Sequence, residues 1–193
     1  MKKIFFIAIA VAALSACNNK SDTKNEKATE SATSKTDDYM PPAGVDSKVS
    51  ASLKGIIGNY LKLKDALVAD NGKEAADAAT GILKASNQVD TTAMTAAQRN
   101  KYTDIAGDIK ENAEHISENA GKLEHQREHF EILSKDVYDL VKIFGGGHQL
   151  YQDFCPMAND GKGATWLSED KEIKNPYMGS KMPDCGEIKE TLK

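Results

Sequence analysis

Two short segments near the end of the chain combine cysteine, methionine and proline in a way that could hold a metal ion. They are Cys155-Pro156-Met157-Ala158 and Met182-Pro183-Asp184-Cys185-Gly186. Thiolate and thioether sulfur are the ligands that soft metal ions select, Cu(I) above all. Because proline restricts the backbone, we expect each segment to turn its sulfur atoms toward one pocket. The predicted ligands for Cu(I) or Ag(I) are Cys155, Met157, Met182 and Cys185.

One histidine could join this set. His148 lies seven residues before Cys155, at the change from helical to irregular sequence. Two thiolates and an imidazole would suit Zn(II), which prefers tetrahedral sulfur and nitrogen ligands. His148 is therefore a further predicted metal ligand.

A disulfide between Cys155 and Cys185 is the alternative to a metal site. Paired cysteines in an exported chain are the usual setting for such a bond. Closing a loop of this length would stabilise the fold by about 3.5 kcal/mol in the chain-entropy treatment. A structural disulfide does not need the neighbouring methionines, although methionine is also a common core filler. The residues alone leave both alternatives open.

The N-terminus has the features of an export signal. Met1-Lys2-Lys3 is positively charged, and the uncharged apolar run from Ile4 to Leu14 is too short for a membrane span. Leu14-Ser15-Ala16-Cys17 resembles the lipobox of bacterial lipoproteins. The resemblance implies cleavage before Cys17 and acylation of its thiol and new amino group. Residues 1–17 are thus predicted to be a lipoprotein signal peptide with its lipobox cysteine.

Lipidation of Cys17 predicts the location of the protein. Several acyl chains on one residue anchor a chain stably to a lipid bilayer. We expect the remainder to face the periplasm from the cell envelope, with the outer membrane favoured by Asn18. Residues 18–45 are polar and of mixed charge, and Pro41-Pro42 lies near their end. Such a composition predicts a disordered tether.

Charge and motifs exclude several functions. Without Lys2 and Lys3, 23 of the 25 basic residues remain against 29 acidic ones, a formal charge of −6. An acidic chain with mixed helical charges argues against nucleic-acid binding. The chain has no Cys-x-x-Cys pair, nucleophile elbow or glycine-rich phosphate loop. We therefore expect a protein that is not an enzyme.

Residues 46–193 are predicted to form a single, mainly α domain. Apolar residues recur at three-four spacing in four segments of 46–147, joined by short loops. This pattern predicts an antiparallel four-helix bundle. Gly72 is expected to end the first helix in a left-handed conformation, Thr95 and Gln98 to form a capping box, and Gly145-Gly146-Gly147 to end the fourth helix.

The sequence changes character after the triple glycine. Residues 148–193 contain Pro156, Pro176 and Pro183 together with several glycines. We expect an irregular Cys/Met lobe, with at most short strands and with helical periodicity only at 187–192. A segment so poor in regular structure usually needs a disulfide or a metal to hold it.

The remaining histidines are predicted to be ordinary polar side chains. His125 and His129 are four residues apart, a spacing that can hold one metal ion. They lie away from the apolar stripe of their helix, however, and no third ligand is evident from the sequence. His115, on the preceding helix, has no assigned role. We interpret all three as part of a solvated polar face.

The helix and the lobe together resemble a known family. The residues that carry the resemblance are Gln126-Arg127-Glu128-His129-Phe130, Leu133-Ser134, Tyr151, Cys155-Pro156-Met157-Ala158, Gly163, Trp166-Leu167-Ser168, Ile173-Lys174-Asn175-Pro176-Tyr177, Gly179, Met182 and Cys185-Gly186. They are similar to a domain of unknown function of bacterial envelope lipoproteins. That domain also ends periplasmic adaptor (membrane-fusion) subunits of copper/silver-type efflux pumps. Met178 departs from the family pattern, which has phenylalanine there.

The resemblance implies heavy-metal handling. Together with the sulfur ligands, it predicts a membrane-anchored lipoprotein that binds Cu+ and buffers it or delivers it to an efflux adaptor. The alternative is a helical interaction module that is stapled by a Cys155–Cys185 disulfide and binds no metal.

Overall fold

The computed structural model describes residues 42–192, and it is mainly helical. The four long helices are α1 (Ser47–Val68), α2 (Gly72–Ser86), α3 (Ala96–Glu118) and α4 (Leu123–Phe144). Each helix buries one apolar face in a shared core, as the three-four spacing predicted. The four-helix prediction is confirmed. The signal peptide and the tether up to residue 41 lie outside the described residues.

Contacts between helix ends show that neighbouring helices are antiparallel. The Ser50 hydroxyl, near the start of α1, donates to the carbonyl of Phe144 at the end of α4 (2.7 Å). At the other end of the bundle, the Gln126 side-chain amide donates to the carbonyls of Gly72 (2.9 Å) and Ile116 (3.1 Å). The start of α4 therefore meets the start of α2 and the end of α3. Gln126 is fully buried, so these bonds satisfy a donor that water cannot reach.

The helix boundaries follow local signals, with one correction. Thr95 and Gln98 form the predicted capping box at the start of α3, and Gly145 ends α4 with φ 86°. The expected left-handed residue after α1 is Asp70 (φ 55°) rather than Gly72. Asn71 then caps α2 by accepting from the Glu74 backbone N–H (3.2 Å). The prediction for Gly72 was wrong because Asn71 is the better N-cap, and it starts a helix at that glycine.

Gly72 instead allows the start of α2 to approach a neighbouring backbone segment closely. A Cβ at this position would lie 2.4 Å from the Ala120 carbonyl oxygen and 2.9 Å from Gln126 Oε1. Both distances are shorter than van der Waals contact allows. The absence of a side chain thus lets the start of α2 touch the loop that joins α3 to α4.

The C-terminal lobe contains a small antiparallel sheet. Its strands are β1 (Leu150–Cys155), β2 (Ala164–Ser168) and β3 (Glu187–Leu192), in the order β2-β1-β3. A short turn, α5 (Ala158–Gly161), joins β1 to β2, and a 3₁₀ helix (Gly179–Lys181) lies before β3. The lobe is therefore more regular than predicted. Helical periodicity at 187–192 was misleading, because backbone pairing with β1 makes this segment an edge strand.

The sheet is joined to the bundle through Tyr60 of α1. The buried Tyr60 hydroxyl accepts a hydrogen bond from the Leu167 backbone N–H of β2 (2.9 Å) and pairs with the Ser134 hydroxyl of α4 (2.9 Å). Its ring stacks on Phe130 with centroids 5.3 Å apart. Phe130 in turn contacts Tyr177 of the lobe at 5.6 Å. One side chain thus links two helices and a strand.

Removing the Tyr60 hydroxyl should destabilise the fold. Tyr60→Phe keeps the ring but leaves the Leu167 N–H and the Ser134 hydroxyl buried without this partner. Such a loss costs about 1–3 kcal/mol. Urea unfolding followed by circular dichroism measures it. Tyr138→Phe is the control, because Tyr138 bonds only to partly exposed Glu190, and an equal loss in both variants would contradict the role of Tyr60.

A buried carboxyl group lies in the middle of the sheet. Asp153 of β1 is fully buried, and neither of its carboxylate oxygens meets a hydrogen-bond donor within the described residues. Burial raises the pKa of Asp153 to about 7, although nearby Lys64 and Trp166 act to lower it. The folded protein therefore holds a proton on Asp153 that the unfolded chain releases near its ordinary pKa.

This carboxyl group should make the protein less stable as the pH rises. The folded-state pKa lies above the unfolded value of 3.8, so the native state binds more protons between those two values. The free energy of unfolding should fall across that window, by up to about 4 kcal/mol. Asp153→Asn should remove much of the fall between pH 4 and 8 in urea titrations. Asp104→Asn, at an exposed position on α3, should leave the slope unchanged.

Candidate metal centre

Strand pairing brings the two predicted cysteine ligands together. Cys155 is the last residue of β1, and Cys185 lies two residues before β3. Because β1 and β3 are antiparallel with Phe154 opposite Glu187, the two cysteines meet at one end of the sheet. Both are free thiols, Cys155 buried and Cys185 partly so. The residues that the sequence singled out first are thus neighbours in space.

Asn175 fixes the loop that carries Cys185. Its side-chain amide donates to the Cys185 carbonyl (2.6 Å), and its Oδ1 accepts from the N–H groups of Tyr177 (2.8 Å) and Met178 (3.0 Å). Its backbone N–H donates to the Pro183 carbonyl (2.7 Å). Asn175 is fully buried and its side-chain bonds are partly buried, so water competes with them less than at the surface. The position of Cys185 is therefore set by the loop and does not depend on a covalent link.

The two thiols interact directly. A hydrogen bond to the Cys155 side chain, burial and the charge of Cys155 raise the pKa of Cys185 to about 11. The Met157 backbone N–H also bonds to Cys185 and acts in the opposite direction. A thiol with so high a pKa is almost fully protonated at neutral pH, so a bound cation must replace its proton. The two neighbouring thiols can share a soft metal ion in this way, or an oxidant can join them as a disulfide.

The predicted methionine ligands lie on the periphery of this pair. The Met157 side chain is 54% exposed and lines a groove of about 860 Å³ together with Met178. Met182 is half-buried, and its carbonyl accepts a hydrogen bond from the Cys185 N–H (3.3 Å). Both thioethers are thus close in sequence to the thiols, but Met157 reaches the Cys185 thiol through its backbone N–H, and Met182 contacts the Cys185 backbone.

His148 lies apart from the cysteines. It precedes β1, whereas Cys155 ends the same strand. An extended strand of this length separates them by more than about 15 Å. The His148 Nε2 is instead 3.7 Å from Glu169 Oε2. The structure therefore brings together the two cysteines but not the histidine that was predicted to join them.

Three other histidines do come together. His115 of α3 and His125 and His129 of α4 each place a ring nitrogen within 4.8 Å of the others. The sequence analysis assigned these residues to a solvated face. The missed signal was the helix hairpin: only four residues separate α3 from α4, so the last turn of one helix faces the first turns of the other. The four-residue spacing of His125 and His129 then completes the cluster.

An ion-pair network attaches the lobe to the bundle beside the groove. Arg127 of α4 donates to Asp70 (2.5 Å), to the Leu67 carbonyl (2.9 Å) and to the Pro176 carbonyl (2.7 Å). Asp70 also accepts from the backbone N–H (3.0 Å) and hydroxyl (2.5 Å) of Ser180. The loop between β2 and β3 is thus held by two charged side chains, Arg127 at Pro176 and Asp70 at Ser180.

Gly179 makes this network sterically possible. It has φ 53°, and a Cβ there would lie 2.1 Å from Asp70 Oδ1 and 2.5 Å from Arg127 Nη2. Any side chain would displace the carboxylate from the guanidinium. The glycine therefore allows the loop backbone to close over the ion pair.

Residues 56–149 match a family described as "Protein of unknown function (DUF3347)". Residues 1–18, which include Cys17, match the prokaryotic membrane lipoprotein lipid attachment site. The first match runs from within α1 to just beyond the end of α4. No curated protein and no solved structure matches the chain.

These matches confirm part of the predicted identity. The domain of unknown function and the lipid-anchored envelope protein are supported. The DUF3347 match ends at residue 149, before the first strand of the Cys/Met lobe, and the relation to efflux adaptors stays a prediction. Between residues 42 and 192, none of the helices is long and apolar enough to cross a bilayer.

Breaking the ion pair should loosen the lobe. Hydrogen bonds from Ser180 and Arg127 lower the pKa of Asp70 to about 2, so the carboxylate stays charged at every pH above the unfolded value and loses its contacts only in acid. Asp70→Asn removes the charge. The Ser180 amide should then exchange hydrogen up to about tenfold faster at neutral pH, as measured by NMR. Asp77→Asn, in an exposed ion pair with Lys73, should have no effect there.

Proposed function

We propose that this DUF3347 lipoprotein binds a soft heavy-metal ion, Cu+ in the first place, and buffers it or delivers it to an efflux adaptor. The observation that carries the proposal is the contact between the Cys155 and Cys185 thiols at the end of β1 and β3. Two adjacent thiolates are the ligands that Cu+ selects over harder ions. In this proposal the metal replaces the proton that Cys185 holds at neutral pH.

The environment of the pair suits a cation that binds and leaves. Cys155 is buried, whereas Cys185 is partly open to the surface, which gives an ion one route to the thiols. Met157 is exposed, and its unbranched side chain has three rotatable bonds. Its thioether can therefore turn to serve as a third ligand, as can that of Met182. His148 has no part in this site because of its distance along β1.

The surroundings would also concentrate cations. The groove beside Met157 is lined by carboxylates of Glu124, Glu128 and Glu131, with Arg127 and Lys181 as its basic residues. An excess of negative charge raises the local concentration of positive ions. An anchor at Cys17 would keep this groove in the envelope, where a metal passes between transport proteins. Transfer to an adaptor rests on the family resemblance and is part of the proposal.

Cu+ titration of the full chain in detergent tests the proposal. Under reducing, anaerobic conditions we expect one Cu+ per chain and an ultraviolet thiolate-to-copper absorption band. Cys155→Ser combined with Cys185→Ser should abolish the band, whereas Met157→Leu should weaken binding only modestly. His148→Gln is the matched control and should bind as the wild type does. Uptake with an unchanged absorption band in the double serine variant would rule out this site.

The same contact supports a second function, a disulfide-stapled interaction module. Neighbouring thiols in an oxidising compartment are readily joined. Intact mass under non-reducing conditions separates the two proposals. A loss of two hydrogens, combined with no Cu+ uptake after reduction, would establish the module and refute the metal site. Cu+ uptake after reduction would favour the metal site even if the isolated protein is oxidised.

A further inference from the structure

The histidine cluster lies between two antiparallel helices. The rings of His115 and His129 are stacked with centroids 4.3 Å apart, and His125 stands edge-on to His129 at 4.7 Å. His115 comes from the last turn of α3, whereas the other two occupy the first two turns of α4. Three imidazoles from two elements therefore meet at one end of the helix hairpin. Their convergence is set by the fold and not by neighbouring positions in the sequence.

Hydrogen bonds fix the tautomer of one ring. His129 Nδ1 is 3.0 Å from Asn112 Oδ1. The orientation of the Asn112 amide is itself fixed, because its Nδ2 donates to the Asp108 carbonyl (2.9 Å). The amide oxygen can only accept, so His129 must donate from Nδ1. Its Nε2 is then left with a free lone pair.

A second ring has the carboxylate partner that is typical of metal-bound histidines. His125 Nδ1 is 3.1 Å from Glu128 Oε2. A carboxylate also accepts only, so the Nδ1 of His125 carries the hydrogen and the Nε2 is free. Metal-ligating histidines almost always donate their other ring N–H to a carboxylate or carbonyl oxygen in this way. Both α4 histidines thus have the outer contacts of ligands.

Negative charge lies close to the cluster. Glu128 pairs with His125, and the carboxylates of Glu111 and Glu128 both act on His129. Carboxylates beside imidazoles are the usual outer partners of histidines that bind a divalent metal.

We propose that His115, His125 and His129 form a metal site for a divalent ion that prefers imidazole, with Zn2+ or Cu2+ as its occupant. The site differs from the thiol pair in its residues, in its elements and in the hardness of its ligands. It therefore does not depend on the proposed function. Three histidines also leave one position of a tetrahedral ion for water or for another ligand.

The distances require only a local adjustment. Zn–N bonds of 2.0–2.1 Å at tetrahedral angles place ligand nitrogens about 3.4 Å apart. One ring nitrogen of each histidine lies within 4.8 Å of those of the other two. These atoms therefore need to approach one another by no more than about 1.4 Å. Stacked rings point their lone pairs side by side, and one ring must therefore turn. His115 is the exposed member and can rotate without disturbing the core.

Zn2+ titration of the full chain in detergent tests the site. The chain carries Cys155→Ser and Cys185→Ser, so that the thiols cannot contribute and the outcome is separate from that of the Cu+ experiment. Calorimetry should show one Zn2+ per chain, and Co2+ should give the visible absorption of a tetrahedral, nitrogen-ligated ion. Each of His115→Gln, His125→Gln and His129→Gln should weaken binding by more than about tenfold.

Matched controls separate ligands from surface charge. His148→Gln removes a histidine outside the cluster and should leave the affinity unchanged. Glu128→Gln should weaken Zn2+ binding by about 10-fold or more, because it removes the partner of His125. Glu124→Gln makes the same charge change one turn earlier on α4 and should have little effect.

Two results would overturn the proposal. One is a Zn2+ affinity that is the same in the His115→Gln variant and in the parent, since this exposed position can be changed without unfolding. The other is an equal loss in Glu128→Gln and Glu124→Gln, which would show that Zn2+ binds to surface carboxylates. Circular dichroism of each variant confirms that the helices are retained.

Discussion

The hydrogen bonds of the Tyr60 hydroxyl are the constraint on which the lobe depends. A three-stranded sheet of this size cannot bury a core of its own and must pack on the helices. Leu167 lies on β2, an edge strand of the sheet, and its backbone N–H donates into the bundle, where it needs an acceptor. Tyr60 supplies it (2.9 Å). These bonds fix the position of the sheet on α1 and α4. They therefore also fix the position of the two cysteines at the end of the sheet.

Charged contacts fix the other side of the lobe. Arg127 and Asp70 hold the loop before β3, while Glu190 of β3 accepts from Tyr138 (2.7 Å) and Lys142 (2.6 Å) of α4. These bonds are partly exposed and individually weak. The buried bonds of Tyr60 and Asn175 are more costly to break, because water cannot replace them. The thiol pair thus rests on a few shielded hydrogen bonds, which makes a disulfide unnecessary for holding the lobe.

The sequence predicted the helices well because their signals are local. Periodicity gave four helices, and the Thr95–Gln98 capping box and Gly145 marked two of their ends. Gly72 was misjudged because Asn71 is the better N-cap, and because the steric role of Gly72 depends on Ala120 in a distant loop. Such a contact leaves no trace in neighbouring residues. The prediction for β3 failed for the same reason, since its conformation comes from pairing with β1.

The two candidate metal sites also differ in how much of their signal is local in the sequence. Proline and methionine beside each cysteine drew attention to Cys155 and Cys185, and the sheet then placed them together. The histidine cluster has only half of its signal within one helix, His125 and His129 at four-residue spacing. Its third member, His115, is recognisable only when α3 and α4 are known to be antiparallel. Fold-level information was therefore needed to distinguish a clustered histidine from an isolated surface histidine.

Protonation gives the two sites different responses to pH. Cys185 has a pKa of about 11, so a metal must displace its proton at any pH near neutrality. Affinity at the thiols should consequently fall as the pH falls, by up to tenfold per unit for each proton displaced. The pKa of His129 is lowered by partial burial, so its ring stays neutral to a lower pH than a free imidazole does, and metal binding would displace no proton from this ring at neutral pH. Under the two proposals, the affinity of the thiols would change with pH through the neutral range, whereas the affinity of His129 would fall only where its ring is protonated in acid.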